Sequence, residues 1–129
     1  FIIVTQIVAM AIYILFPNRQ DLRPSEFPRE NIFTWILGII YAADTSTNVC
    51  PSLHVAYSIG IASTWLKEPS ASKRCKVLLT AFCFMVCISV AFVKQHSVVD
   101  IFAALPVCVL AEGIAYGKSF WKQRLGGAV

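Results

Sequence analysis

Charge is scarce in this chain. Of its 129 residues, 14% are Asp, Glu, Lys or Arg, where a soluble domain carries about 25%. Histidine is scarcer still, with two in the whole sequence. A chain that is 57% hydrophobic, with a mean hydropathy of +0.69, cannot surround itself with solvated side chains and is expected to be an integral membrane protein. Repeats, low-complexity tracts and nucleic-acid-binding signatures are absent. The net charge of +4 is accounted for by short basic loops, so no nucleic-acid partner is expected. The five cysteines suggest packing more than chemistry. Cys83 and Cys87 would share a helix face, but no histidine or further thiol cluster stands beside them, and neither a metal nor another cofactor is expected. Cys50 alone lies in a polar neighbourhood, where it could pack or be oxidised.

Apolar runs are what the chain has in abundance. The first, Phe1 to Phe16, is shorter than the roughly 20 residues of a complete span. It also lacks the basic start and small-residue cleavage site of a signal peptide. It reads as the end of a transmembrane helix, and the missing start methionine leads us to expect one or more further spans upstream. Three more spans are expected over Ser52 to Leu66, Val77 to Val93 and Asp100 to Tyr116. The run Ile32 to Ala43, with Trp35 and Tyr41, is too short to cross and is expected at the interface or as a half-helix. The fold class implied is all-α, a polytopic transmembrane bundle forming one membrane-embedded domain over residues 1–129.

The loops suggest an orientation. Residues 67–76 hold four cations and one carboxylate, and Lys118, Lys122 and Arg124 follow the last run without an acidic residue, which places both segments in the cytoplasm. In residues 17–31, Arg19, Arg23 and Arg29 are balanced by Asp21, Glu26 and Glu30. Both histidines then fall on the extracytoplasmic or lumenal side, in Cys50-Pro51-Ser52-Leu53-His54-Val55 and Lys94-Gln95-His96-Ser97-Val98-Val99-Asp100.

These two segments carry the chemistry. Pro51 suits the first turn of a helix, whose free N–H groups and positive dipole end favour an anion. Ser52 adds a hydroxyl, and His54 can donate or accept a proton near neutral pH. His96 and Asp100 are four apart. On a helix they would share a face, so that the carboxylate keeps one imidazole nitrogen protonated and leaves the other as a nucleophile. Taken singly, either histidine reads more simply as an interfacial polar group. Arg23 could anchor to lipid headgroups, and Lys94 could snorkel to the interface or contact phosphate. Together on one membrane face they point to a phosphate-handling site.

The sequence resembles the type 2 phosphatidic acid phosphatase superfamily. The resemblance rests on Arg23-Pro24, Pro51-Ser52-Leu53-His54, and Ser89 with His96 and Asp100, and covers about residues 17–110. It implies a six-span bundle acting on a lipid phosphate without metal. In that scheme His96 attacks phosphorus to form a phosphohistidine, Asp100 orients His96, and His54 protonates the leaving oxygen. Arg23 and Ser52 then hold the non-bridging oxygens. Two positions depart from the pattern: Phe16 stands where the family usually has lysine, and Val90 where it has arginine. Arg19 and Lys94 are the cations available as substitutes. The phrase Phe92-Val93-Lys94-Gln95-His96 resembles the branch related to inositol phosphorylceramide and sphingomyelin synthases, which commonly lacks that arginine. A lipid phosphotransferase or headgroup synthase of the same fold, and a non-catalytic lipid-binding protein, are therefore the alternatives to a phosphatase.

Overall fold

Helix starts in this chain are set by local capping. Asn31 accepts the N–H groups of Phe33 and Thr34 at 2.9 and 3.0 Å, while its own N–H donates to Thr34 Oγ1 at 2.9 Å, a reciprocal cap. Ser52 Oγ accepts from Val55 N at 3.4 Å and Ser72 Oγ from Cys75 N at 3.2 Å. The result, in a computed structural model that describes residues 1–125 with the side chains of 118–125 excluded, is five helices. They are α1 (Ile2–Leu15), α2 (Ile32–Ala43), α3 (Leu53–Lys67), α4 (Lys73–Phe92) and α5 (Val98–Leu125). No strand occurs among the described residues, and one isolated bridge joins Arg19 to Thr47. Gly117, at φ 38°, interrupts α5.

Among the described residues, two helices are long and apolar enough to cross a membrane. The α4 helix and the Val98–Gly117 part of α5 each have 20 residues, about 30 Å at 1.5 Å per residue, which matches a hydrocarbon core. Only 11% of the α4 window is buried, and Phe82, Phe84 and Met85 stand outward, an apolar face that needs a non-aqueous neighbour. The run expected over 52–66 forms α3, shifted by one residue. The α3 helix has 15 residues, about 22 Å, too short to cross alone because capping at Ser52 and Pro69 beyond its end confine it. The expected cytoplasmic cations Lys118, Lys122 and Arg124 lie outside the residues whose side chains are described.

The α3 helix is the centre of the packing, against α1, α4 and α5. Val55, Ala56, Val90, Ala104 and Cys108 form the core between α3, α4 and α5, with the Phe1 ring packed on it. Gly60 permits that approach, since a Cβ there would lie 2.5 Å from a Phe1 ring carbon. The α2 helix buries no residue and is tied down at its end, where Tyr41 OH donates to Val93 O at 2.7 Å. Segments 44–52 and 93–97 therefore meet at one end of the bundle, and the 68–72 turn closes the other.

Candidate active site

Two non-helical segments build the site. After α4, Val90 O accepts both Gln95 N at 3.0 Å and His96 N at 3.1 Å, with Lys94 turning through φ 53°. This turn fixes His96 before α5 begins. Ser97 is the cap of α5: Asp100 Oδ2 accepts Ser97 N at 2.7 Å and Asp100 N donates to Ser97 Oγ at 3.3 Å. His96 thus precedes the helix, and the shared helical face expected for it and Asp100 is corrected to a loop folded against a first turn. Pro51 is corrected likewise. With Ser52 as the cap, Pro51 lies before the helix and not in its first turn.

The geometry still brings the three ionisable groups together. His54 Nδ1 and His96 Nε2 are 3.2 Å apart, with the rings edge to face at 5.4 Å. On its other side, His96 Nδ1 is 3.7 Å from Asp100 Oδ2. That is ion-pair range and longer than a hydrogen bond, and Nδ1 is buried without a partner among the described residues. The carboxylate accepts only, so it favours the proton on Nδ1 and a lone pair on Nε2, which then accepts from His54 Nδ1–H. Burial lowers the His96 pKa below its ordinary 6.5 and the neighbouring His54 adds to the effect, against the opposing pull of Asp100, the Val49 carbonyl and Asp44. His54 is exposed and His96 is 6% exposed. One imidazole is buried, and the other is open to solvent.

Both rings line a cavity of about 80 Å³, together with Tyr13, Asp44, Thr47, Asn48 and Leu53. Ligand-sized pockets run to roughly 300–1,000 Å³, so this one fits a small headgroup and not a whole lipid. Capping leaves two backbone donors beside it: Ser52 takes the N–H groups of Val55 and Ala56, and those of Leu53 and His54 have no intrahelical acceptor. A roomier groove of about 550 Å³ runs between α3 and α4 along Ser58, Ala62, Leu66, Thr80, Cys83 and Phe84, and contains neither histidine.

The expected phosphate ligands are placed less directly. Ser52 is fully buried; its hydroxyl caps α3 and its N–H donates to Asp100 O at 3.1 Å. Arg23 lies outside the cavity lining, with its guanidinium on Tyr41, Asp44 and Thr45. Arg19 is exposed and paired with Asp21 at 2.9 Å. Lys94 is exposed on the turn before His96. Ser89 bonds its own helix at Val86 O, 2.9 Å, and Val90 is in the core, where a guanidinium would have to be buried. Burial, then the charge of Asp100, raises the Cys50 thiol above its ordinary 9.0, which keeps it protonated and unreactive.

Sequence reasoning missed the groups that fasten the cavity. Tyr13 OH donates to Pro51 O at 2.6 Å. Asn18 Oδ1 accepts Val49 N and Cys50 N at 2.8 and 2.9 Å, and its Nδ2 donates to Cys50 O at 2.8 Å. Nothing local marks Tyr13 or Asn18. Asp44 did carry a signal, as the single carboxylate between Glu30 and Glu68. Comparison of the chain with protein-family models, with curated proteins and with solved structures returns no match.

Proposed function

We propose that this chain is the catalytic part of a membrane-embedded, metal-independent lipid phosphate phosphatase, a six-span bundle of the type 2 phosphatidic acid phosphatase kind. Its site would face the extracytoplasmic or lumenal side. One arrangement carries the reading: His96 stands between Asp100 on Nδ1 and His54 on Nε2, at the wall of a headgroup-sized cavity. The lone pair of His96 Nε2 attacks phosphorus, the bond from phosphorus to the lipid oxygen breaks, and His54 gives that oxygen its proton. Water then enters, His54 takes one of its protons, the new P–O bond forms, and the P–N bond to His96 breaks with its electrons returning to the ring. Asp100 stabilises the positive charge on phosphohistidine. The N–H groups of Leu53 and His54 meet the non-bridging oxygens, and the exposed Lys94 on the neighbouring turn is the cation available to join them.

The test is phosphate release by the full-length protein in vesicles across a panel of lipid phosphates, with trapping of a base-stable, acid-labile label on His96. No release and no label on any substrate would sink the proposal. Turnover that requires a second lipid alcohol and frees little phosphate assigns the protein as a transferase. A non-catalytic lipid-binding reading is favoured by one observation, that no lysine or arginine lines the cavity among the described residues. It requires binding of lipid phosphate without any turnover.

A further inference from the structure

Arg23 makes four hydrogen bonds near the site, and none of them is to a cavity histidine. Its Nη1 donates to Asp44 O at 2.5 Å and Tyr41 O at 3.2 Å, and its Nη2 to Asp44 Oδ2 at 3.2 Å and Thr45 O at 3.3 Å. The guanidinium carbon lies 4.9 Å over the Tyr41 ring, and the side chain is 13% exposed. The carboxylate it grips turns to a second partner, since Asp44 Oδ2 also accepts from Gln95 Nε2 at 3.2 Å. Gln95 is buried, adjoins His96, and shares with it the Val90 carbonyl. A continuous path of contacts therefore runs from Arg23 through Asp44 and Gln95 to the backbone of the reacting histidine.

The same carboxylate poses an electrostatic problem. Asp44 lines the cavity and is 40% exposed, so an unneutralised charge there would repel an arriving phosphate. Arg23 cancels that charge from behind the wall. Its planar fork suits the task, because it holds a carboxylate and three carbonyls at once where a lysine ammonium would be a single point charge.

We propose that Arg23 is a positioning residue, which acts on His96 and on the cavity through Asp44 and Gln95 and does not itself hold the phosphate. The proposal rests on the phosphatase reading for its kinetic consequences but not for its structural ones. Arg23→Gln leaves Asp44 charged and unheld, and lowers kcat/KM by a factor on the order of 10 to 100. Removing the charge at Asp44 then removes the cause, so the Arg23→Gln/Asp44→Asn double variant recovers at least about tenfold over Arg23→Gln alone. A guanidinium that held phosphate directly could not be replaced this way. A double variant as poor as Arg23→Gln, or poorer, overturns the proposal.

A readout free of turnover separates the two claims. The imidazole of His96 is followed by NMR in the full-length protein, where Asp44, Asp100, His54 and the Val49 carbonyl are the groups that bear on it. Arg23→Gln raises its titration midpoint, because Asp44 is no longer compensated, and the double variant returns it toward wild type. If no lipid phosphate is turned over but the midpoint moves and returns, the phosphatase reading fails and the positioning role stands. A midpoint indifferent to Arg23 rejects that role even if the enzyme is active. Arg23→Lys, which keeps the charge without the fork, recovers only part of either effect.

Discussion

Both ends of α3 are tied to α5 by ionisable side chains, yet the two ties are built differently. At the far end, Lys67 Nζ contacts Glu112 Oε1 and Ser63 Oγ, and Ser63 in turn donates to Glu112 Oε2 at 2.8 Å. The ammonium also lies 4.2 Å over the Tyr116 ring, whose hydroxyl is 2.8 Å from Thr64 Oγ1. Opposite charges meet there, and each Glu112 carboxylate oxygen has a donor. At the histidine end His54 and Asp100 stand in the first turns of α3 and α5 and His96 on the loop before α5; His96 Nδ1 is buried without a partner among the described residues, and Asp100 stops 3.7 Å short of it. A closed polar network fixes helix register. An unclosed one beside a cavity keeps capacity in reserve for a ligand, and apo catalytic geometry is commonly loose in this way.

The sharpest test of that contrast is His96→Ala. It removes the proposed nucleophile and is expected to abolish the labelled intermediate and lower kcat by a factor on the order of 10³ or more. Residual turnover within tenfold of wild type would make the histidine end no more catalytic than the lysine end.

Asp100 comes next, because it has two jobs that two substitutions separate. Asp100→Asn can still accept Ser97 N and keep the α5 cap, but loses the charge beside Nδ1; kcat is expected to fall on the order of 10²-fold with the unfolding temperature nearly unchanged. Asp100→Ala should add the loss of the cap, about 1 kcal/mol in stability. Equal activities for Asp100→Asn and wild type would leave Asp100 a capping residue only.

Lys94→Gln has a smaller expected effect, about tenfold in kcat/KM for one lost charge-assisted hydrogen bond. Normal kinetics would leave phosphate charge to the helix-end N–H groups.

Glu112→Gln inverts the pattern. With its side chain 23% and that of Lys67 16% exposed, losing the charge of this partly buried pair is expected to cost about 2 kcal/mol of stability, and activity per folded molecule should not change. Lost catalysis at full stability would erase the distinction between the ends.

The finest effect is in pH. Because burial lowers the pKa of folded His96 below its ordinary 6.5, the unfolded chain takes up a proton that the folded chain refuses as pH drops past 6.5. That contribution makes stability fall between pH 6.5 and the folded value, and it is absent above that window. Thermal unfolding in detergent from pH 7.5 to 5 should show a shallower acid decline in His96→Gln than in wild type.

Much of the fold was legible in advance because it depends on neighbours in sequence. The apolar runs over Val77 to Val93 and Asp100 to Tyr116 became the two helices long enough to cross among the described residues. The bounds of α3 were legible too, since the run expected over Ser52 to Leu66 differs from the observed Leu53–Lys67 by one residue at each end. His54 and His96, read as parts of one site from their common membrane face, lie 3.2 Å apart.

By itself, then, the sequence determined helix existence, capping and which end of the bundle holds the imidazoles, all consequences of periodicity and of side chains bonding backbone within four residues. Tertiary structure alone decided what the polar side chains do. Arg23, read as a phosphate ligand, faces a carboxylate 21 residues away, Asn18 holds a strand of backbone 31 and 32 residues on, and Gln95 answers to Asp44 across 51. A guanidinium or an amide has several equally good partners in principle. Only the packing of α1, α3, α4 and α5, which fixes where segments 18–23, 44–50 and 93–97 come together, selects among them.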